Sequence, residues 1–357
     1  MRVEFPLTPG AMMQETNSVL GDSDLEDLDA DGLLHLYSEM YKIRRVEELA
    51  AKAYTQRKIL GFCHLYIGQE AVAVGAAAVS ADDYWIAAYR EHGHALAKGV
   101  SARRIMAELF GKVTGCSKGV GGSMHIFDAS NRFMGGYGIV GAHVPMATGI
   151  AWASKHRDEG RVCVCFFGEG AANQGVFFEA LCLAQLYTLP VVFICENNRY
   201  AMGTEVTRAS AVTDMSVRAR GVGLIGEQVK GFDVEEVRRR VGAAVAYARD
   251  GKGPVLLELL TYRYRGHSMS DPAKYRTSDE VEDMKRTQDC LSITAHRLQS
   301  DFGVTQERID EVRAEIDSLA QDAWDFAESS PEPALSQLYE NVYAPATEEP
   351  HGDTSDP

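Results

Sequence analysis

The sequence predicts an α/β protein: a doubly wound parallel sheet with N- and C-terminal helical extensions. Three short apolar runs carry that expectation, Arg161-VCVCFF, Pro190-VVFIC and Gly253-PVLLELL. Each is continuous rather than alternating, as strands covered on both faces are. Helical stripes separate them, and parallel strands need such crossovers.

Taken in order, residues 1–31 read as a disordered acidic arm, because apolar spacing begins only with Leu33, Leu36, Met40, Ile43 and Val46. Gly61-FCHLYIGQEA leads into an Ala/Val-rich helix, and Asp83-YWIAA reads as a strand ending at Tyr89-Arg90. Lys118-GVGGSMH and Phe133-MGGYGIVGAHVP read as glycine-rich turns, the second opening a helix near Pro145. A helix over Asn173–Tyr187 joins the first two apolar runs, and Asp233–Arg249 forms an amphipathic helix before the third. Tyr262-RYRGHSMSDPAKYRT is too long and polar for a simple connection, and such loops tend to be functional. Thr277 and Glu280 have capping-box spacing, and Ile309, Val312, Ile316, Leu319, Ala323 and Phe326 mark a last helix stopped before Pro331. Residues 32–343 are therefore expected to form one domain and 344–357 a disordered tail.

Charge and composition exclude several classes of function. The chain has 357 residues and a formal net charge of −15, which disfavours nucleic acids and anionic membranes as partners. No apolar run approaches the roughly 18–20 residues that span a bilayer. The first residues show no apolar signal core, and the segment from Asp22 to Asp31 is acidic rather than arginine-rich. Seven cysteines show no CxxC spacing, and Cys163, Cys165 and Cys195 fall in predicted buried strands. A reducing cytoplasm is the expected compartment.

The chemistry concentrates at GEGAANQG, residues 168–175, and ENNRY, residues 196–200. Gly168 and Gly170 permit a tight turn after one strand, and the next helix offers free N–H groups to an anion. Asn198 follows at a distance that fits one helix and a return strand. A carboxylate, an amide oxygen and a nearby carbonyl at adjacent strand ends suit a hard cation such as Mg²⁺ shared with a diphosphate. The same residues also fit an ordinary turn with an acidic cap and a polar loop.

Longer strings narrow the choice. GFCHLYIGQE, AYREHGH, GGSMH, IVGAHVP, GEGAANQG, ICENNRYAMGT and YRYRGHSMSDPAKYRT, in this order, resemble the α subunits of thiamine-diphosphate-dependent 2-oxo acid dehydrogenases, from about residue 33 to 343. The resemblance, which is to the pyruvate-using members first, implies an α₂β₂ heterotetramer with a β subunit. It also implies a lipoyl-bearing acyltransferase component as acetyl acceptor. It places Mg²⁺ on Glu169, Asn198 and the carbonyl of Tyr200, and the diphosphate near Gly170, Ala171, Tyr89 and Arg90. The backbone of Gly138 and Val140 would meet the aminopyrimidine ring, and Met202 would hold the cofactor bent. His64 and His267 would lie near the reacting carbon or the phosphates; a His64 imidazole titrating near neutrality would suit proton donation, and the loop of His267 would order over diphosphate and substrate carboxylate. Acetoin and branched-chain 2-oxo acid enzymes share the scaffold. A silent assembly subunit and a Mg²⁺-dependent phosphate hydrolase are the readings from other classes.

Two departures accompany the resemblance. Glu169 stands where relatives carry Asp, one methylene shorter, so the turn or metal must shift. Lys274 stands where phosphorylated relatives carry Ser, while Ser268 remains. The acid that must polarise the aminopyrimidine has no candidate: Glu70 reads as a first-turn acid and Glu91 adjoins Arg90. The partner chain is expected to supply it.

Overall fold

A computed structural model describes residues 20–21, 25–340 and 342. The acidic arm and the tail lie mostly outside these residues. The described end of the arm runs against a later helix, where Arg238 donates to the Glu26 carbonyl.

The chain enters α1 (Ala30–Thr55), capped by the Asp29 carboxylate on the Gly32 N–H, then α2 (Glu70–Ala77) and β1 (Tyr84–Ala88). Next come α3 (His92–Ala97), α4 (Ala102–Leu109), β2 (Phe133–Tyr137), α5 (His143–His156) and β3 (Cys163–Gly168). α6 (Gly175–Leu186) and β4 (Val191–Asn197) complete the unit foreseen around GEGAANQG. A ribbon of β5 (Tyr200–Ala201) and β6 (Thr204–Glu205) precedes the short helices α7 (Val206–Ala209) and α8 (Val217–Arg220). β7 (Ile225–Lys230), α9 (Val234–Arg249) and β8 (Val255–Leu260) finish the sheet, and α10 (Ser278–Gln288), α11 (Cys290–Ser300) and α12 (Gln306–Ser329) follow.

The sheet has six strands in the order β2-β1-β3-β4-β8-β7, all parallel. Side-chain alternation splits the core in two. Val164, Phe166, Val192 and Ile194 face α1, α2 and α9; Cys163, Cys165, Phe167 and Phe193 face α5 and α6. Both faces are covered, hence the continuous apolar runs.

Two elements differ from the sequence reading. Phe133–Tyr137 is an edge strand rather than a turn, because Phe133, Gly136 and Tyr137 pair with Trp85, Ala87 and Ala88 of β1 across a one-residue register shift. β7, reading IGEQVK, was not foreseen, since a half-exposed edge strand carries few apolar residues. Thr277 does accept from the Glu280 N–H, but the Glu280 carboxylate accepts from the Tyr200 and Tyr262 hydroxyls instead of closing a capping box. Among the described residues no helix is long and apolar enough to cross a membrane.

Candidate functional site

The chain runs from β1 to one edge and then returns past it to β3, which opens a crevice at the carboxyl ends of β1, β3 and β4. A cavity of about 250 Å³ lies there. Tyr89, Arg90, Val140, Glu169, Gly170, Ala171, Asn198, Tyr200, Met202 and His267 line it, together with Gln69, His143, Glu196 and Arg263. Gly138 and His64 lie outside that lining. A Cβ on Gly138 would sit 3.4 Å from the His125 ring, and His64 stands behind Tyr89 with ring centroids 4.7 Å apart.

The register pairs Gly168 with Glu196 across β3 and β4, bringing the Glu169 turn beside Asn198. Gly170 is required because a Cβ there would lie 2.6 Å from the Ala201 Cβ. Asn198 Oδ1 and the Tyr200 carbonyl converge on one cationic nitrogen, Arg263 Nη1, at 3.3 and 2.9 Å. Glu169 is buried, and its Oε1 has no hydrogen-bond partner. Burial pushes its carboxyl up to about 7, with Arg263, Arg90 and the Asn198 backbone pulling the other way.

Opposite these oxygens stand two guanidiniums. Arg263 donates also to the Met202 and Arg265 carbonyls and the Tyr275 hydroxyl; Arg90 donates to the Leu65 and His267 carbonyls. Among the described residues neither forms a salt bridge with a carboxylate. Burial and the nearby Arg263 lower the Arg90 guanidinium to about 10. Two buried cations without a carboxylate counter-ion form a cavity poised for an anion.

His267 and His64 approach edge to face with centroids 5.1 Å apart, and Tyr89 closes the group. Burial first, then Arg90, hold His64 at about 2 and His267 at about 4. Burial and the neighbouring cations thus work against the near-neutral titration expected of His64, and lower His267 as well. Behind His64 a buried relay fixes the backbone. Glu47 accepts from the Tyr66 N–H at 2.8 Å and contacts His92 Nδ1 at 3.0 Å, His92 Nε2 meets Ser123 Oγ at 2.9 Å, and that hydroxyl accepts from the His64 N–H at 3.1 Å.

The glycine-rich turn before His125 holds an anion of its own. The buried Glu108 carboxylate accepts from Ser117, Gly119, Gly121 and Gly122 N–H at 2.7–3.1 Å. Those donors are spent and cannot cradle a phosphate. Glu70 pairs with Arg44 at 2.5 Å, away from the cavity lining.

Sequence reading passed over Gln69, Glu196 and His143 and left Arg263 among loop cations. Glu196 accepts from the Tyr66 hydroxyl and contacts His94 Nε2 at 3.2 Å. The His143 Nε2–H donates to the Phe166 carbonyl at 2.8 Å, leaving Nδ1 unpartnered. The only signal for them was position beside a strand end or motif.

The residues present fit a metal-bound diphosphate. Two oxygens already converge on a cation, an unspent carboxylate adjoins them, and the facing guanidiniums match an oxyanion. Among the described residues no group of three or more His, Cys, Asp or Glu side chains could hold a metal. A site here would rest on one carboxylate with neutral oxygens, as Mg²⁺ sites shared with phosphates do.

Residues 38–336 match the dehydrogenase E1 component family. The chain is similar to the pyruvate dehydrogenase E1 component subunit alpha of Rhizobium meliloti (strain 1021), 51% identical over 310 residues covering 87% of this chain and 89% of that protein. The subunit of the same name from Zymomonas mobilis is 48% identical over 319 residues, covering 88% and 89%. The somatic, mitochondrial form from Homo sapiens is 46% identical over 316 residues, covering 88% and 80%.

Proposed function

The chain belongs to the dehydrogenase E1 component family, and from that membership we propose that Glu169, Asn198 and the Tyr200 carbonyl hold Mg²⁺ against the diphosphate of thiamine diphosphate. The activity is that of the α subunit of a pyruvate dehydrogenase: oxidative decarboxylation of pyruvate with acetyl transfer to a lipoyl group. Acetoin or branched-chain specificity, or a silent assembly role, draws no support from the named relatives.

When bound, the thiamine group supplies a carbon nucleophile and stores the electron pair released with CO₂. This chain's residues bind, orient and exclude water. Gly170 and Ala171 would hold the diphosphate with their backbone, and Tyr89, Arg90 and Arg263, which line the same cavity, would bind its oxygens. The Val140 and Gly138 backbone would hold the aminopyrimidine ring, and Met202, on the cavity lining, would pack against the cofactor. His64 and His267 would present ring N–H groups to oxygen atoms of the substrate. An entering anion raises both imidazoles, because it offsets the cations that depress them.

The observation that carries this reading is the convergence of Asn198 Oδ1 and the Tyr200 carbonyl on one cation beside the unpartnered Glu169 oxygen. Other features support a partner. Met146, Trp152, Phe178, Leu183, Leu186 and Tyr187 leave an exposed apolar face along α5 and α6, as a subunit contact requires. Ile139 and Phe62 are exposed as well. A β subunit in an α₂β₂ tetramer would cover these and supply the missing acid, and a lipoyl-bearing acyltransferase would take the acetyl group. We read residues 32–343 as one cofactor-binding domain, since α1 and α12 share a core with the sheet. Seven free thiols suit the reducing cytoplasm.

The test is calorimetric titration of the coexpressed αβ enzyme with thiamine diphosphate, with and without Mg²⁺. Asn198→Ala should weaken Mg²⁺-dependent binding at least about tenfold. Equal affinity with and without the metal would reject the assignment.

A further inference from the structure

Gln69 is 1% exposed and lies on the cavity wall, in a loop that leaves it little freedom. Its N–H donates to the Tyr66 carbonyl at 3.2 Å, and the neighbouring Gly68 carbonyl accepts from the Thr261 hydroxyl at 3.2 Å. Gly68 has φ +100°, and a Cβ there would collide with the Tyr262 carbonyl, so this turn admits no other residue.

The amide orientations follow from their neighbours. One terminal atom of Asn198 meets the Tyr200 N–H at 3.3 Å and Arg263 Nη1 at 3.3 Å. Both of those are donors only, so that atom is the oxygen. The other is then Nδ2, which lies 3.1 Å from Gln69 and must meet its Oε1. That leaves Gln69 Nε2, a buried donor without a partner, on the wall of the cavity that Arg90 and Arg263 also line. Orphaned buried donors are rare because each forfeits its hydration. In a cavity whose formal cations lack carboxylate partners, the acceptor that satisfies it is an oxyanion.

We propose that Gln69 is a further binding residue of this site: its Oε1 locks the Asn198 amide with the oxygen facing the metal position, and its Nε2 donates to a bound oxyanion. The oxyanion is a diphosphate oxygen of the cofactor or the carboxylate of the 2-oxo acid. This inference rests on the Mg²⁺–diphosphate reading above.

The experiment uses the assembled αβ enzyme. Gln69→Glu keeps the acceptor for Asn198 and replaces the free donor with an acceptor. Gln69→Met removes both and guards against misfolding of the charged variant. Calorimetry gives the Kd of thiamine diphosphate with Mg²⁺, and steady-state kinetics give KM for pyruvate. Loss of a hydrogen bond to a charged group predicts a change of about tenfold or more in one of them. A raised Kd with KM held within about twofold identifies the diphosphate as the oxyanion, and the reverse identifies the substrate carboxylate. Both constants within about twofold of wild type in both variants overturn the proposal. Asn198→Ala separates the two layers. If it leaves Mg²⁺-dependent binding intact, the metal reading itself fails. If it abolishes that binding while the Gln69 variants match wild type, only the role of Gln69 falls.

Discussion

Replacing Glu91 by glutamine should make stability less sensitive to rising pH. The Glu91 side chain is fully buried at the start of α3; Oε1 accepts from the Ile126 N–H at 3.0 Å, and Oε2 has no partner. The Gly136 backbone packs directly on the carboxyl, since a Cβ there would overlap it. Burial pushes this acid up to about 8, with His92 and the Ile126 N–H offsetting only part. An unfolded glutamate ionises near its ordinary value of 4.5. Between those values the folded chain keeps a proton that the unfolded chain has lost, so stability falls as pH rises through that window. At ~1.4 kcal/mol per pH unit, the loss from about pH 5.5 to about pH 8.5 is about 3 kcal/mol. Glu91→Gln keeps an acceptor for Ile126 and does not titrate. Urea unfolding at both pH values should therefore show wild type losing about 3 kcal/mol more than the variant. Parallel losses within about 1 kcal/mol would refute the buried neutral acid.

Three further outcomes are expected. Glu169→Asp should bind thiamine diphosphate at least as tightly as wild type, since the shorter side chain loses less rotamer freedom; calorimetry showing about tenfold weaker binding would count against this. His267→Ala should lower kcat on pyruvate by about a hundredfold with cofactor affinity little changed, and a kcat within a few-fold of wild type removes His267 from the chemistry. Glu108→Gln should destabilise the chain by at least about 3 kcal/mol in urea unfolding, because a charged acceptor of four backbone N–H groups is lost; unchanged stability would contradict the clamp.

The strands β3, β4 and β8 were legible because continuous apolar runs have few other uses in a soluble chain. The glycine pair flanking Glu169 and the return to Asn198 were legible for a related reason: turn chemistry and one crossover are local in sequence. β7 was not, because edge burial gives it no apolar signature. Tertiary structure alone decided that Glu280 serves two tyrosines and that Glu108 fills the turn before His125. It alone set the Arg263 guanidinium against the Asn198 and Tyr200 oxygens, left Gln69 a donor to spare, and lowered both imidazoles. Each joins segments distant along the chain, and desolvation depends on what surrounds a group in space. Spacing records which groups can form a turn or a helix face; only the closed fold determines which charges share a low-dielectric cavity.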